Sequence, residues 1–547
     1  MKKERFLIHA VILAVAGLVS RIIGLLYAVP LYHIIGEEGN GYYGTAYEIY
    51  NMLLLITAFS MPMAISKIMS VYVAEKDYVN CKRLLRTCLF YVIVIGGAAA
   101  IVTYIFADSF VVAPAVLSLK IMAPTIFISG ILSVLRGYMQ AHNTMVPTAL
   151  SQIIEQIFNA MFSILLAFLL MRYVTKFGGE RIIRGLGLDY KDIPTVAYGA
   201  MGSSLGTLIG AFVATAFMII YIMSTRNSRH AMYESRSDLP YQYESTSEPE
   251  PYFTLFRVIF MYASPIILTS FIYNLSTTID MKIFWDWAMD NNYSRETAAS
   301  VFGIYSRQYL VLINVPITIA SAISSSMIPG LAVDFTSNEI EMVKARISKA
   351  VRTVVLFAVP AVVGLIVLAE PIMQLLFKGT SKAASDALVL GSISVLFFSV
   401  ATILNSGLQA MGKSFLAIKN VSRALIIHIL YVVGMLRISG SIMGILVTGS
   451  VIYSMSMCFG NISSMEKYFG CKFNILSIIG KPFIASLLMG VVTVLCINVL
   501  GDIGLGNILS LLVTIGASVI TYFVIFYFQD DYMYKGIFRA VKAKQKL

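Results

Sequence analysis

The sequence predicts an all-α polytopic membrane protein with about fourteen transmembrane helices. Three observations predict it. The 547 residues are 58% hydrophobic and only 13% charged, about half the charged share of a soluble domain. Mean hydropathy is +0.80. The apolar residues come in continuous runs, and about 20 such residues span a bilayer core as a helix. Strands of a transmembrane barrel would alternate in short segments instead.

The first run, Phe6 to Ile35, has Arg21 as its only charged residue besides histidine. It follows MKKER, as a signal peptide would. It is too long for a signal core, shows no clear cleavage site and precedes many more spans, so it reads as a retained first helix. The next runs place helices at about 42–74, 87–107, 112–141, 147–172 and 196–224. A hydrophilic stretch rich in charge, Ser and Pro then reads as a flexible cytoplasmic linker over 225–252. Further helices are expected at 253–288, 298–330, 349–370, 384–411, 415–437, 440–465, 475–500 and 506–528. The chain accordingly divides into an N-terminal six-helix lobe (1–224), the linker, a C-terminal six-helix lobe (253–465), and two last helices with a basic cytoplasmic tail (466–547). AISKIMSVYVAE from Ala64 recurs loosely as AISSSMIPGLAV from Ala322, and LRGYMQAHNT from Leu135 as LNSGLQAMGK from Leu404. This echo suggests a duplicated six-helix unit repeated in parallel, with a site between the halves. Pro30, Pro62, Pro124, Pro265, Pro316 and Pro360 lie inside spans and are expected to kink them.

An even helix count puts both termini on one side. With that side inside, the inner segments carry 26 Lys and Arg and the outer ones 9. This bias predicts cytoplasmic termini in the cell membrane. It also accounts for a net charge of +12 without invoking nucleic acid as a partner. The outer loop 172–195 is an exception, with five basic residues. The five cysteines include no CxxC pair and the five histidines no HExxH motif, so neither a disulfide framework nor a structural metal is indicated.

Six basic residues remain within helices: Arg21, Lys67, Lys120, Arg136, Lys282 and Arg307. Their clear acidic counterparts are Glu48, Glu155 and Asp280, which leaves a basic excess. A charge near the bilayer centre costs roughly 2.5–3.5 kcal/mol on insertion scales and usually faces a bundle interior or a watery cavity. Lys67, Lys120 and Arg136 can snorkel; Arg21 and Arg307 are the hardest to dismiss. Either they line a cationic cavity or a neighbouring carboxylate neutralises them. In RGYMQAHNTMVPTALSQIIEQI, Gln152, Glu155 and Gln156 share one helical face, with Arg136 the nearest partner. That group reads equally as an interhelical clamp or as part of a transport path.

This segment, the opening SRIIGLLYAVPL and IYSRQYLVLINVP at 304–316 together resemble the SpoVB/YtgP branch of the MurJ-type lipid flippases. These belong to the MOP superfamily with the MATE exporters. The resemblance implies two pseudo-symmetric lobes forming a V-shaped cationic cavity for the headgroup of lipid II, and a tail groove at the last two helices. Arg21 matches the arginine of the family's SR-x-x-G motif and Arg307 that of its Y-x-x-R segment. A second arginine of many members is Tyr27 here. Some members bind sodium through an aspartate in helix seven. Asp280 is its candidate counterpart, without obvious partners in helix eleven.

The expected function is a flippase, not an enzyme. It would carry undecaprenyl-diphosphate-linked peptidoglycan precursor across the membrane by alternating access, with Arg21, Arg307 and Lys282 as substrate-binding cations. Glu48, Arg136, Gln152, Glu155 and Gln156 would serve as structural or gating polar groups. Arginine suits a diphosphate because its planar fork donates several charge-assisted bonds. Membrane lipids are partners by nature of the compartment; cell-wall synthesis or division proteins are candidate partners, and sporulation is a candidate setting. A flippase for another lipid-linked polysaccharide fits the sequence nearly as well. A cation-coupled multidrug exporter would favour an acidic cavity. A glycosyltransferase would need an acidic catalytic constellation, which is not found. A scaffold without transport would leave the buried charges unexplained. No Walker loop is present, so the expected energy source is the membrane potential, with sodium the alternative and no other cofactor.

Overall fold

The computed structural model describes residues 2–529 except 60, 76, 143, 187–192, 235–248, 439–440, 503–505, with side chains also left aside at 2–11, 14, 59, 63–64, 74, 78, 226–234, 262, 265–266, 329, 475, 502 and 507. Among the described residues the secondary structure is helical, without strands. Among the described residues eleven helices are long and apolar enough to cross a membrane, and a twelfth if Lys382–Gly391 and Ser394–Ala410, bent by 44°, count as one span. Each of the fourteen expected segments corresponds to a helix or a run of helices. The difference in number arises partly because the first segment and the start of the second lie in one helix, Lys2–Leu54, interrupted at Gly36. Gly36 has φ 67° and ψ −171°, a conformation essentially open to glycine alone. The prolines do not end the helices that hold them. Pro30, Pro124 and Pro360 lie inside continuous helices, and Pro62 sits in the first turn of Met61–Ala74. The helical repeat loosens instead in three π-helical turns, Leu55–Phe59, Val92–Gly96 and Ile304–Tyr309.

By packing, the chain forms two compact units whose boundaries differ from those of the expected lobes. One comprises Met1–Arg307 with Gly412–Ile429, the other Gln308–Met411 with Leu430–Leu547.

In the first unit the helix Ala113–Ala141 is the most enclosed span. It packs on Met61–Ala74, Thr195–Glu234 and Lys2–Leu54. Thr195–Glu234 lies against Val146–Phe177 along Gly202, Gly206 and Gly210. A Cβ at these positions would meet Leu166 O at 2.5 Å, Ser163 N at 2.3 Å and Glu155 O at 2.6 Å. Small residues at this spacing let two helix backbones touch, a common basis of helix association in lipid. The same device joins the second half of Lys2–Leu54 to Arg295–Gly303. A Cβ on Gly41 would lie 1.9 Å from Ala299 O, and one on Gly303 would lie 2.2 Å from Glu37 O.

The expected linker 225–252 is helical in backbone up to Glu234, and 235–248 lie outside the described residues. Its far end is bonded in place. Glu250 accepts from Tyr72 at 2.8 Å, its backbone N donates to Asn80, and its carbonyl takes Arg83 at 2.7 Å. In the basic loop 172–195, Lys120 Nζ donates to Leu186 O at 3.2 Å. This buried lysine thus holds the loop end; Lys191 lies outside the described residues.

In the second unit, Leu310–Thr336 and Ile340–Val367 turn on each other through Arg346 Nε and Asp334, 2.6 Å apart. The last two helices, Ile475–Asp502 and Asn507–Phe528, are joined by a buried Thr493–Ser518 hydroxyl pair at 2.7 Å. Tyr522 anchors them by donating to Leu356 O at 2.8 Å. The tail 530–547 lies outside the described residues.

Candidate functional site

In the first unit, the glycine contact between residues 37–44 and 295–303 positions the candidate site. One turn beyond Gly41, a Cβ on Gly44 would lie 2.3 Å from Ser306 Oγ, so the next residue, Arg307, is carried against the tyrosines of the first helix. Arg307 stands on the π-helical turn Ile304–Tyr309, a distortion frequent at functional sites. Its guanidinium carbon lies 4.6 Å from the Tyr43 ring centroid and 5.4 Å from that of Tyr47, within cation–π range. Tyr27 lies within electrostatic reach of the guanidinium and of Tyr43. Arg307 Nε is buried without a partner, and no ion pair closes the group among the described residues.

Tyr43, Tyr47 and Tyr50 form a ladder at one-turn spacing, with centroids 5.9 and 5.7 Å apart. Arg21 lies on the exposed face of the same helix, with no ion pair or hydrogen bond to the described residues. Both Arg21 and Arg307 act electrostatically on Tyr47. Arg307 lies against the Tyr47 ring, and Arg21 is within electrostatic range of the same tyrosine. An uncompensated arginine in a spanning helix is tolerated where water or an anion reaches it.

Lys282 does not join them. It is exposed and bonded to Asp286 at 2.8 Å, one turn along its own helix. Two residues from buried Asp280, it points to the other side of that helix. The expected basic excess shrinks by one, because Asp286 lies outside that count and pairs with Lys282; the counted Glu155 pairs with Arg136 at 2.7 Å. Arg136 also donates from Nε to Ser151 Oγ at 2.9 Å, which makes this group an interhelical clamp. Gln152 Oε1, in the same region, is buried without a partner, and Gln156 is half-buried.

Glu48 accepts the Thr277 hydroxyl at 2.7 Å and lies within electrostatic reach of Arg307 and Asp280. Asp280 is 1% exposed. Its Oδ1 is 2.7 Å from His428 Nε2, and its Oδ2 accepts from Tyr305 at 3.1 Å. Both carboxylate oxygens are thus occupied by groups of the chain. Nitrogen is also a poor ligand for a hard cation, and no cluster of three or more His, Cys, Asp or Glu suited to a metal occurs among the described residues. The set does not fit a bound sodium ion at Asp280.

Sequence reasoning missed Tyr43, Tyr47, Tyr305 and His428. The YYGTAYEIY spacing, with tyrosines at 43, 47 and 50, could have announced the ladder. His428 is the only histidine in the apolar stretch ALIIHILYVV; considered only for a zinc motif, it went unused as a partner for Asp280.

Comparison with known proteins agrees with this architecture. Residues 7–333 match the family model described as "Polysaccharide biosynthesis protein". The chain is 24% identical over 484 residues to the lipid II flippase MurJ of Bacillus subtilis (strain 168), covering 85% of this chain and 83% of that one. It is 25% identical over 431 residues to stage V sporulation protein B of the same organism, covering 77% and 76%. A solved structure of lipid II flippase MurJ in an inward closed conformation superposes with a TM-score of 0.63 at 16% identity. That match covers 94% of this chain and 98% of the other.

Proposed function

Because the chain belongs to the polysaccharide biosynthesis protein family, we propose that it is a flippase for an undecaprenyl-diphosphate-linked peptidoglycan precursor of the lipid II kind. It would act by alternating access in the cell membrane, with both termini cytoplasmic. The observation that carries this reading is Arg307. It is a membrane arginine flanked by two aromatic faces and a phenol, with an unpartnered Nε and no carboxylate closing it among the described residues. Such a group is short of an anion. A diphosphate offers several acceptor oxygens to the guanidinium fork; of the ladder, Tyr43 and Tyr50 are buried, and the half-buried Tyr47 offers an amphipathic ring, apolar in face and polar at the hydroxyl, to the adjoining sugar. Arg21, within electrostatic range of the same tyrosine, supplies a second positive charge. A drug cation would find Glu48 and Asp280 already bonded to Thr277, His428 and Tyr305.

The membrane potential can drive the cycle. It is worth about 2.3 kcal/mol per elementary charge per 100 mV, so a headgroup with roughly two negative charges gains about 4.6 kcal/mol per 100 mV on full outward passage. The test is flipping of fluorescent lipid II in proteoliposomes under a potassium diffusion potential, negative inside. The protein should move the label outwards, more slowly once valinomycin and balanced potassium abolish the potential. A protein that moves no lipid-linked glycan but clears a cationic dye would overturn the reading.

A further inference from the structure

The pair formed by Asp280 and His428 joins two helices far apart in sequence, Tyr252–Asp290 and Ser414–Met435, inside one compact unit. Both side chains are sealed: His428 is 0% and Asp280 1% exposed. A buried carboxylate is stable only with a compensating positive charge or proton donor. At 2.7 Å, Oδ1 and Nε2 share one proton, and whichever atom holds it, the carboxyl group is compensated from within the chain. The second oxygen takes the Tyr305 hydroxyl. The other charges in reach are Glu48, held by Thr277, and beyond it Arg307. Around Asp280, therefore, the compensation comes from His428 and no outside cation is required.

We propose that His428 is a resident substitute for an alkali cation. Its imidazole occupies the place beside Asp280 where a sodium ion could otherwise bind. The wild-type chain is then indifferent to sodium, and truncating His428 opens a sodium site made by the Asp280 carboxylate, the Tyr305 hydroxyl and water entering the vacated space. This inference does not depend on what the chain transports, because its readout is binding.

The experiment is thermal unfolding of the purified full-length protein in NaCl, KCl or choline chloride at equal ionic strength, for wild type, His428→Ala, His428→Ala/Asp280→Asn and Asp280→Asn. The wild type should give the same Tm in all three salts. His428→Ala should melt lower in choline and gain a saturable rise of about 3 °C or more with sodium, and the double variant should lose that gain. Two results overturn the proposal. One is a saturable sodium stabilisation of the wild type that Asp280→Asn removes. The other is a folded His428→Ala with no response to sodium. If His428→Ala does not accumulate, wild type and Asp280→Asn across the three salts still decide whether Asp280 uses a resident or an external cation.

Discussion

Arg136 and Arg307 are both half-buried arginines on spanning helices of the same compact unit, yet their surroundings are opposite. Arg136 is closed: a carboxylate at 2.7 Å, a serine hydroxyl at 2.9 Å, and a neighbouring helix that supplies both. Arg307 is open, with rings on its flanks, one phenol, and a nitrogen that bonds to nothing. The difference separates two uses of a charge in a membrane. A closed pair contributes to structure, and losing one partner strands the other. An open arginine held by aromatic rings keeps its hydrogen-bonding capacity for a ligand. Tyr27 sharpens the contrast, because a hydroxyl within electrostatic reach of the guanidinium does not neutralise it.

The largest expected effect tests the closed member. Arg136→Ala should destabilise the protein by about 3 kcal/mol, since Glu155 is left without its cation. Arg136→Met/Glu155→Leu should recover most of that loss, because the charge and its partner leave together. Thermal unfolding in detergent measures both. A single variant as stable as wild type would mean that the clamp carries no structural load.

Next comes the open member. Arg307→Ala should leave the unfolding temperature nearly unchanged and slow lipid II flipping about 10- to 100-fold. That range corresponds to about 1.5–3 kcal/mol for hydrogen bonds to a charged group. Arg307→Lys should recover activity only in part, because the fork geometry is lost. Arg21→Ala should act in the same direction but less, as Arg21 is exposed and more strongly screened. Equal losses of fold and flipping at Arg307 would move it to the closed class. A milder version of the same test is Tyr43→Leu. It removes one cation–π face, worth about 0.5–2 kcal/mol, and should reduce flipping a few-fold without affecting the Arg136 clamp.

The helices were largely legible because hydropathy is a property of runs, and each run of the expected length corresponds to helix. Arg21, Arg307 and the Arg136–Glu155 pairing could be singled out because a charge inside an apolar run is conspicuous. What escaped depends on contacts between distant segments. Gly36 breaks the first helix where prolines were the expected breakers, and Pro30 six residues earlier leaves it continuous. The tyrosine ladder has helical spacing, but a tyrosine stripe alone does not say which cation it meets. His428 lies 148 residues from Asp280, and no local pattern joins them. Packing also placed the boundary between compact units at Arg307 and Gln308, inside a single apolar stretch where composition gives no sign of a division.

The smallest expected effect concerns Lys282, grouped with Arg21 and Arg307 by charge counting alone. Its ammonium and the Asp286 carboxylate are 65% and 58% exposed at 2.8 Å. An exposed pair one helical turn apart contributes only about 0.3–0.5 kcal/mol. Lys282→Ala should therefore shift stability by no more than about 0.5 kcal/mol and leave lipid II flipping within about twofold of wild type, which RT ln 2 places near 0.4 kcal/mol. Asp286→Ala should behave alike, because neither partner is stranded away from water. Flipping assays on both variants, beside Arg307→Ala, separate two meanings of a membrane-helix cation. If Lys282→Ala slows flipping tenfold while Asp286→Ala does not, the lysine serves the substrate despite its local partner. Exposure and pairing would then be insufficient to sort the cations of this chain, and the contrast between Arg136 and Arg307 would lose its general force.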